Sequence, residues 1–384
     1  MSKDVAVRTA NAVYFPALDG IRALALVMVF LAHYAQIPLF GLGVNVFFVL
    51  SGFLITGILI DTREQRHRIH NFYVRRTLRI FPLYYGILLA LFLLTPVLHW
   101  KWDTGWLLWP AYVGNYLPYL HPWLPDAVWH ATAFGVLKNP DGFTVYLGHF
   151  WSLCVEEQFY LLWPWLVFFL PRRALLWICG LMVVLMPLVR VIASHHLSQA
   201  ALEQNVLFRT LPFQLDSLLL GGLIALLWRG SHRDALIGWG RIAGNVGTIA
   251  ALMFVYCCVD LHLPFLRQPF LRSFHYMTWE LSVINLLSAA WILSAMQPGS
   301  WVYRFFHLRP LRWTGRISYG AYVLHDLPHE GYVGLGDALS STHGHAVTML
   351  LAASFTLVGS ALSYRFFEKP FLKLKDRWTL RNEY

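Results

Sequence analysis

The sequence predicts an all-α protein, a polytopic membrane helix bundle with about ten transmembrane helices. Two observations predict this class. Of the 384 residues, 57% are hydrophobic and only 13% are charged, whereas soluble domains carry about 25% charged residues. The apolar residues also form separate runs, several of them near the length of about 20 residues that a helix needs to cross a bilayer. The 17 tryptophans and 18 tyrosines suit two interfacial belts.

Ten apolar runs are long enough to be spans. They lie at approximately 22–37, 44–60, 80–98, 150–170, 174–193, 211–228, 243–260, 277–296, 317–334 and 346–365. We interpret residues 1–384 as a single integral membrane domain and expect no appended soluble domain. We expect no cleavable signal peptide either, because no small-residue cleavage site follows the first run.

The positions of the basic residues predict the orientation of the chain. With ten spans and a cytoplasmic N-terminus, most of the 30 lysines and arginines fall in cytoplasmic segments, as the positive-inside rule requires. Both termini are then cytoplasmic. Residues 106–120 form a short apolar stretch broken by Pro110 and Pro118. A full crossing there would reverse every later loop, so we expect a re-entrant or interfacial segment within an outer loop, 101–149.

Charge and cysteine content exclude some other classes. The formal net charge of +10 does not indicate nucleic-acid binding, because the basic residues lie between apolar runs rather than on one face. The four cysteines lie in apolar runs without paired spacing, so neither a disulfide framework nor a zinc site is expected. Membrane lipids are expected partners, and the sequence does not indicate an oligomeric state.

Several ionisable residues lie inside the apolar runs. His33 follows Arg22 by eleven positions, about 16 Å along a helix. Glu156 and Glu157 lie near the start of the fourth run, and further examples are Asp216, Glu280, His325 and Asp326. Ionisable groups within a membrane are costly and often functional. A histidine satisfied by a neighbouring helix explains His33 equally well, but the set as a whole indicates a polar cavity.

A cluster of arginines precedes the third run. Arg75, Arg76 and Arg79 lie at helical spacing within a basic inner loop, 61–79. Such loops usually set topology and meet anionic lipid headgroups. The alternative is a phosphate site, because the guanidinium group binds phosphate oxygens in a two-pronged manner.

A histidine with a carboxylate in a cleft of low dielectric constant can act as a general base, for example in acyl transfer to a hydroxyl. The sequence has no Gly-x-Ser-x-Gly elbow, His-Glu-x-x-His, Walker A or Gly-x-Gly-x-x-Gly motif. A covalent acyl-serine route therefore has no support, whereas direct attack on a thioester needs only the base. A proton path in a transporter or exporter of a glycan intermediate is the alternative function.

Six segments occur in a characteristic order. They are 18–23 followed by His33, 43–55, 75–84, 151–160, 316–325 and 367–370. In this order they resemble the membrane-bound acyltransferase-3 family, which includes bacterial polysaccharide O-acetyltransferases and macrolide acyltransferases. Two positions depart from the family pattern. Asn45 replaces a frequent aspartate, and Asp326-Leu327-Pro328 follows His325 in place of a shorter His-x-Pro ending.

The resemblance implies an acyltransferase in the bacterial inner membrane, with acetyl-CoA or another acyl-CoA as cytoplasmic donor, a carbohydrate or glycosylated acceptor, and no metal. It implies that His33 is the catalytic base and Glu156 its carboxylate. The implied donor-binding residues are Arg22, Arg75, Arg76 and Arg79. Candidates for substrate binding or support are Asp19, Asn45, Ser51, Trp151, Tyr160, Asp216, Arg316, Tyr319 and His325. The expected product is an O-acylated, most simply O-acetylated, sugar hydroxyl.

Overall fold

The computed structural model describes residues 7–9, 12–100, 102, 104–119, 135–138, 143–198, 201–202, 205–260, 278, 280–340 and 342–380. Across this part of the chain the fold is helical apart from two short antiparallel hairpins. The predicted all-α class is therefore confirmed. The chain divides into a first unit, Met1–Glu64 with Tyr160–Arg316, and a second unit, Gln65–Phe159 with Ile317–Tyr384.

The elements follow one another in this order: β1 Val7–Thr9, β2 Ala12–Tyr14, α1 Ala17–Tyr34, α2 Gly43–Asp61, α3 Arg68–Leu93, α4 Thr95–Leu98, β3 Val136–Lys138, β4 Thr144–Tyr146, α5 Trp151–Phe169, α6 Arg172–His196, α7 Val206–Arg209, α8 Leu211–Trp228, α9 Arg233–Asp260, α10 Glu280–Ala295, α11 Trp301–Phe306, α12 Arg309–Arg316, α13 Ser318–Leu324, α14 His329–Leu339, α15 Gly344–Leu362 and α16 Lys369–Trp378. A π-helical segment, Ser363–Glu368, joins α15 to α16. Strand β1 pairs with β2, and β3 pairs with β4.

Six described helical stretches are long and apolar enough to cross a membrane. They are Ala17–Tyr34, Leu39–Asp61, Arg68–Leu93, Arg172–His196, Leu211–Trp228 and Gly344–Trp378. These stretches support a multi-pass membrane protein. The count of ten spans and the cytoplasmic position of both termini stay predictions.

Two of the differences between the helices and the predicted spans involve segments that carry predicted site residues. The third span was expected from residue 80, but α3 begins at Arg68, so the basic loop is largely helical. The ninth predicted span, 317–334, is two short helices, α13 and α14, interrupted at His325–Pro328. Proline lacks a backbone N–H and restricts the residue before it, which explains the interruption.

The segment 106–120 lies partly within the described chain. Two 3₁₀ turns, Thr104–Leu108 and Gly114–Tyr119, form its described part. Tyr84 of α3 donates a hydrogen bond of 2.7 Å to the carbonyl oxygen of Trp109, and its ring stacks on Tyr112 with 4.3 Å between centroids. These contacts hold the segment against α3. Its predicted re-entrant or interfacial position stays a prediction.

The core of the first unit forms where α2 and α8 pack face to face. A Cβ atom at Gly52 would overlap the carbonyl oxygen of Leu218, and one at Gly221 would overlap the carbonyl oxygen of Val49. Glycine at these positions lets the two backbones touch, as small residues do at membrane helix interfaces. The close approach brings the polar residues of both helices into one buried layer.

The second unit is built on α3 and the C-terminal helices. Helix α16 packs against α3, and α13 and α14 pack against α15. The Tyr319 hydroxyl of α13 donates a hydrogen bond of 2.6 Å to the carbonyl oxygen of Ile80 on α3. This bond gives Tyr319, a predicted supporting residue, a structural role between two helices of the unit.

Candidate active site

Arg76 lies beside both carboxylates of α5 in the second unit. Its Nη2 is 3.5 Å from Glu156 Oε2, and its Nε is 3.6 Å from Glu157 Oε1. All three side chains are largely buried. Neighbouring residues on a helix point about 100° apart, so the Glu156 and Glu157 side chains leave α5 in different directions. The planar guanidinium, with five N–H groups, reaches both.

The three predicted donor-binding arginines of α3 differ in their surroundings. Arg75 and Arg79 are exposed on α3, whereas Arg76 is directed to the α5 carboxylates. Residues four apart share a helix face, so Arg75 and Arg79 present their charge on one side of α3. Arg22 lies in the first unit and has a carboxylate partner of its own, Asp19.

A buried histidine cluster lies in the second unit. The His149 Nε2 is 3.0 Å from the carbonyl oxygen of Val323, and His325 Nδ1 is 2.7 Å from the carbonyl oxygen of Tyr322. A carbonyl oxygen only accepts, so each of these ring nitrogens carries a hydrogen. In neutral His325 the lone pair is then on Nε2, the tautomer that suits proton acceptance through that atom.

The Tyr322 hydroxyl completes this cluster. It lies 2.5 Å from Ser152 Oγ and donates to the carbonyl oxygen of His149 over 3.0 Å. The rings of His149 and His325 are 4.8 Å apart between centroids. Sequence reasoning singled out His325 and missed His149, Ser152 and Tyr322. The missed signal was the pair of spacings His149-x2-Ser152 and Tyr322-x2-His325, which lie in or directly before the segments 151–160 and 316–325.

Asp19 is the centre of a charged group in the first unit. Its buried carboxylate accepts from the Tyr14 hydroxyl at 2.5 Å and from Arg22 Nη1 at 2.6 Å, and Arg316 Nε is 3.9 Å away. Burial, together with the hydrogen bond to Asp19, raises the pKa of Tyr14 above its usual value. A Cβ at Gly315 would overlap the carbonyl oxygen of Asp19, so the glycine lets α12 bring Arg316 close. The structure thus joins three predicted residues.

His33 lies in the last turn of α1, partly buried, on the same helix as Arg22. Ser51 of α2 and Tyr160 share a short hydrogen bond through their hydroxyl groups within this unit. Trp151 is buried at the start of α5 in the second unit. His33 belongs to the first unit and Glu156 to the second; their pairing stays a prediction.

Asp216 is the centre of a second group in the first unit, which is fully buried. Both carboxylate oxygens accept from Arg190, each at 2.8 Å, and Oδ2 also accepts from Asn285 Nδ2 at 3.2 Å. Arg190 donates further to the carbonyl oxygens of Thr278 and Phe213. Sequence reasoning chose Asp216 without Arg190. The signal was two opposite charges isolated in separate apolar runs.

Asn45 extends this polar layer. Its Nδ2 lies within 3.0 to 3.1 Å of Gln214 Oε1, Ser217 Oγ and Asn285 Oδ1, which all act as acceptors. A carboxylate at position 45 would offer these acceptors no hydrogen. The amide therefore fits its surroundings as a donor, which accounts physically for asparagine at this position.

A family model described as an acyltransferase domain, of the acyltransferase-3 type, matches residues 15–365. The chain belongs to this family. The resemblance drawn from the motifs and the predicted acyltransferase class are thereby confirmed. The match covers both units, and it contains every predicted site residue from Asp19 to His325. No solved structure matches the chain.

Several bacterial proteins named as O-acetyltransferases are similar to this chain. The peptidoglycan O-acetyltransferase OatA of Listeria monocytogenes is 28% identical over 378 residues, which cover 94% of this chain and 56% of that protein. YrhL of Bacillus subtilis, named as a candidate peptidoglycan O-acetyltransferase, is 26% identical over 94% of this chain and 56% of its own length. The chain thus spans little more than half the length of these relatives.

Proposed function

We propose that this protein transfers an acetyl group from acetyl-CoA to a hydroxyl of a cell-envelope glycan. The observation that carries the proposal is the family match over residues 15–365, which includes a histidine on α1 and a carboxylate pair on α5. The relatives named as peptidoglycan O-acetyltransferases support a glycan acceptor, and the six long apolar helical stretches support a multi-pass location, for which we propose the bacterial inner membrane. The comparisons give a transporter no support.

The proposed reaction is a direct transfer. The His33 imidazole takes the proton of the acceptor hydroxyl, and the hydroxyl oxygen attacks the thioester carbonyl. The C–O bond forms, the C–S bond breaks, and the thiolate of coenzyme A leaves and takes the proton from the imidazolium. Glu156 stabilises the imidazolium as a carboxylate does in other histidine-based sites. No acyl-enzyme is needed, because the thioester is already activated.

The donor would meet the protein through its phosphates. Arg75 and Arg79 lie exposed on one side of α3, and arginine is suited to phosphate oxygens. Arg76 is engaged with Glu156, so its proposed part is to hold that carboxylate. Arg22 forms an ion pair with Asp19, so we expect it to contribute less to donor binding than the two exposed arginines.

The direct test uses protein purified into nanodiscs, labelled acetyl-CoA and soluble peptidoglycan fragments as acceptor. We expect labelled acetyl-glycan, detected by mass spectrometry as a base-labile ester. The His33→Ala variant should lose at least a hundredfold in turnover, since a general base contributes about 10²–10⁴. His232→Ala is the matched control, because His232 is an exposed histidine of the same unit.

Two results would contradict the proposal. Wild-type turnover by His33→Ala would remove His33 from the base role. Failure of the intact protein to acetylate any fragment in the presence of acetyl-CoA would contradict acetyl transfer from this donor to a peptidoglycan hydroxyl.

A further inference from the structure

A cavity of about 390 Å³ lies in the first unit, away from every predicted site residue. It is formed where α8 ends, α9 begins and the connection between α10 and α11 passes. The lining side chains that matter are Phe15, Trp228, Arg233, Arg241, Gln297 and Ser300. Ligand cavities commonly have volumes of about 300–1,000 Å³, so the space suits a small ligand group.

The cavity has two positive charges and no acidic lining residue. Arg233 and Arg241 are eight positions apart on α9, about 12 Å along its axis. The Arg233 guanidinium lies 4.7 Å from the centroid of the Trp228 ring. Within the described chain, neither arginine forms an ion pair. A neighbouring arginine, Arg229, is by contrast paired with Asp61 at 2.7 Å.

The neutral polar side chains of the lining donate hydrogen bonds to backbone carbonyl oxygens within the fold. Gln297 Nε2 donates to the carbonyl oxygens of Ile237 and Leu293, and Ser300 Oγ donates to the carbonyl oxygen of Ser294. The guanidinium groups of Arg233 and Arg241, both exposed residues of the lining, are therefore the main hydrogen-bond donors that the cavity can offer to a ligand. A cavity that offers cations beside an aromatic surface selects an anion, and arginine favours phosphate oxygens.

Exposed tryptophans near the cavity indicate a position at the level of the membrane surface. On the other side of α9, Trp239 is 73% exposed and Ile242 is 59% exposed, and Trp301 on α11 is also exposed. Tryptophans gather at the bilayer–water boundary, where phospholipid phosphates lie. The loop charges predict that the C-terminal end of α8 and the N-terminal end of α9 face the cytoplasm.

We propose that this cavity binds a phosphate-bearing group. Two sources have this chemistry: the headgroup of an anionic phospholipid and the nucleotide end of coenzyme A. Basic pockets between membrane helices on the cytoplasmic side bind phospholipid headgroups, so the membrane is one source. The coenzyme A source rests on the proposed function, whereas the phosphate site itself does not.

The test measures binding rather than acyl transfer. Native mass spectrometry reports phosphatidylglycerol retained by protein released from nanodiscs of phosphatidylcholine and phosphatidylglycerol. Equilibrium dialysis reports binding of adenosine 3′,5′-bisphosphate, the phosphate-bearing nucleoside of coenzyme A. The double variant Arg233→Gln with Arg241→Gln is compared with Arg304→Gln with Arg309→Gln, which removes two exposed arginines of the same unit that do not line the cavity.

We expect the cavity variant to bind one of the two ligands roughly thirtyfold more weakly, because each arginine near a phosphate contributes about 1 kcal/mol to binding. The control pair should keep binding near the wild-type level. The ligand that is lost identifies the source, lipid or nucleotide. A variant with lysine at both positions keeps the charge and should keep most of the binding, which separates a lost site from a misfolded protein.

Three outcomes would overturn the proposal. In one, the cavity variant binds both ligands as tightly as the wild type. In another, both variants lose affinity equally, which would mean only that surface charge attracts phosphate. In the last, the intact protein binds neither ligand. Each can occur while acyl transfer is normal, so failure here and failure of the proposed function are distinguishable.

Discussion

Arg190 on α6 and Asp216 on α8 form a two-pronged ion pair inside the first unit, with Nη1–Oδ1 and Nη2–Oδ2 distances of 2.8 Å. Both side chains are buried. Two charges removed from water stabilise each other only while both are present, so the pair makes each partner dependent on the other.

Replacing one partner should therefore lower the stability of the fold. We expect Arg190→Met to lower the free energy of unfolding by about 3–5 kcal/mol, because it leaves the Asp216 carboxylate buried without its cation. The double variant Arg190→Met with Asp216→Leu should recover most of this loss. Thermal unfolding in nanodiscs measures both, with Arg173→Met, an exposed arginine on the same helix, as control. A double variant no more stable than the single one would contradict the account.

The contact between α2 and α8 predicts a steric effect. Gly52→Ala places a methyl group against the carbonyl oxygen of Leu218, and we expect it to destabilise the protein by about 1–3 kcal/mol, as overpacking does. Gly180→Ala is the matched control, because, apart from its own helix backbone and chain neighbours, no atom of the described residues lies within 4 Å of a Cβ built there. Equal unfolding temperatures for the two variants would show that the helices separate without cost.

The environment of Tyr146 predicts that the fold becomes less stable at alkaline pH. The hydrogen bond from its hydroxyl to Glu330 Oε1, 2.7 Å long, is the main cause that raises the pKa of Tyr146 to about 12. A folded pKa above the unfolded value of about 10 stabilises the fold below pH 10. This stability is lost as the pH rises from about 10 to 12.

The difference in ultraviolet absorbance between wild type and Tyr146→Phe should therefore titrate near pH 12. In a Glu330→Gln background the same difference should titrate closer to pH 10, because the carboxylate that opposes tyrosinate formation is gone. Identical midpoints in the two backgrounds would mean that Glu330 does not control Tyr146.

The two neighbouring arginines of α3 should affect different kinetic constants. Arg76→Gln removes the cation that lies beside Glu156 and Glu157, and we expect kcat to fall roughly tenfold, which needs only about 1.4 kcal/mol. Arg75→Gln should instead raise KM for acetyl-CoA. Arg377→Gln, an exposed arginine of the same unit, should change neither constant. A fall in kcat that is the same for Arg75→Gln and Arg76→Gln would contradict the division of roles.

The sequence was informative for features that are local in the chain. Hydropathy located apolar helices such as Leu211–Trp228, and motif order identified the family. It was less informative where two distant residues meet. The partner of Asp216 was not predicted, because residues 190 and 216 come together only when α6 packs against α8.

Local backbone chemistry explains the other differences. The basic segment before residue 80 was treated as a loop, although its regular arginine spacing is compatible with a helix, and α3 begins at Arg68. Pro328 was noted only as a departure from the family pattern, yet it accompanies the break that separates α13 from α14. In both places hydropathy alone could not mark the helix boundary.

The buried layer around Asn45 has a consequence for a protein in an energised membrane. Moving one elementary charge across the whole membrane changes its energy by about 2.3 kcal/mol per 100 mV of membrane potential. Arg190 and Asp216 carry opposite charges, and Asn45 adds none. The pair has no net charge, so we expect the membrane potential to exert no net force on this layer and the core of the first unit to be the same in polarised and depolarised membranes.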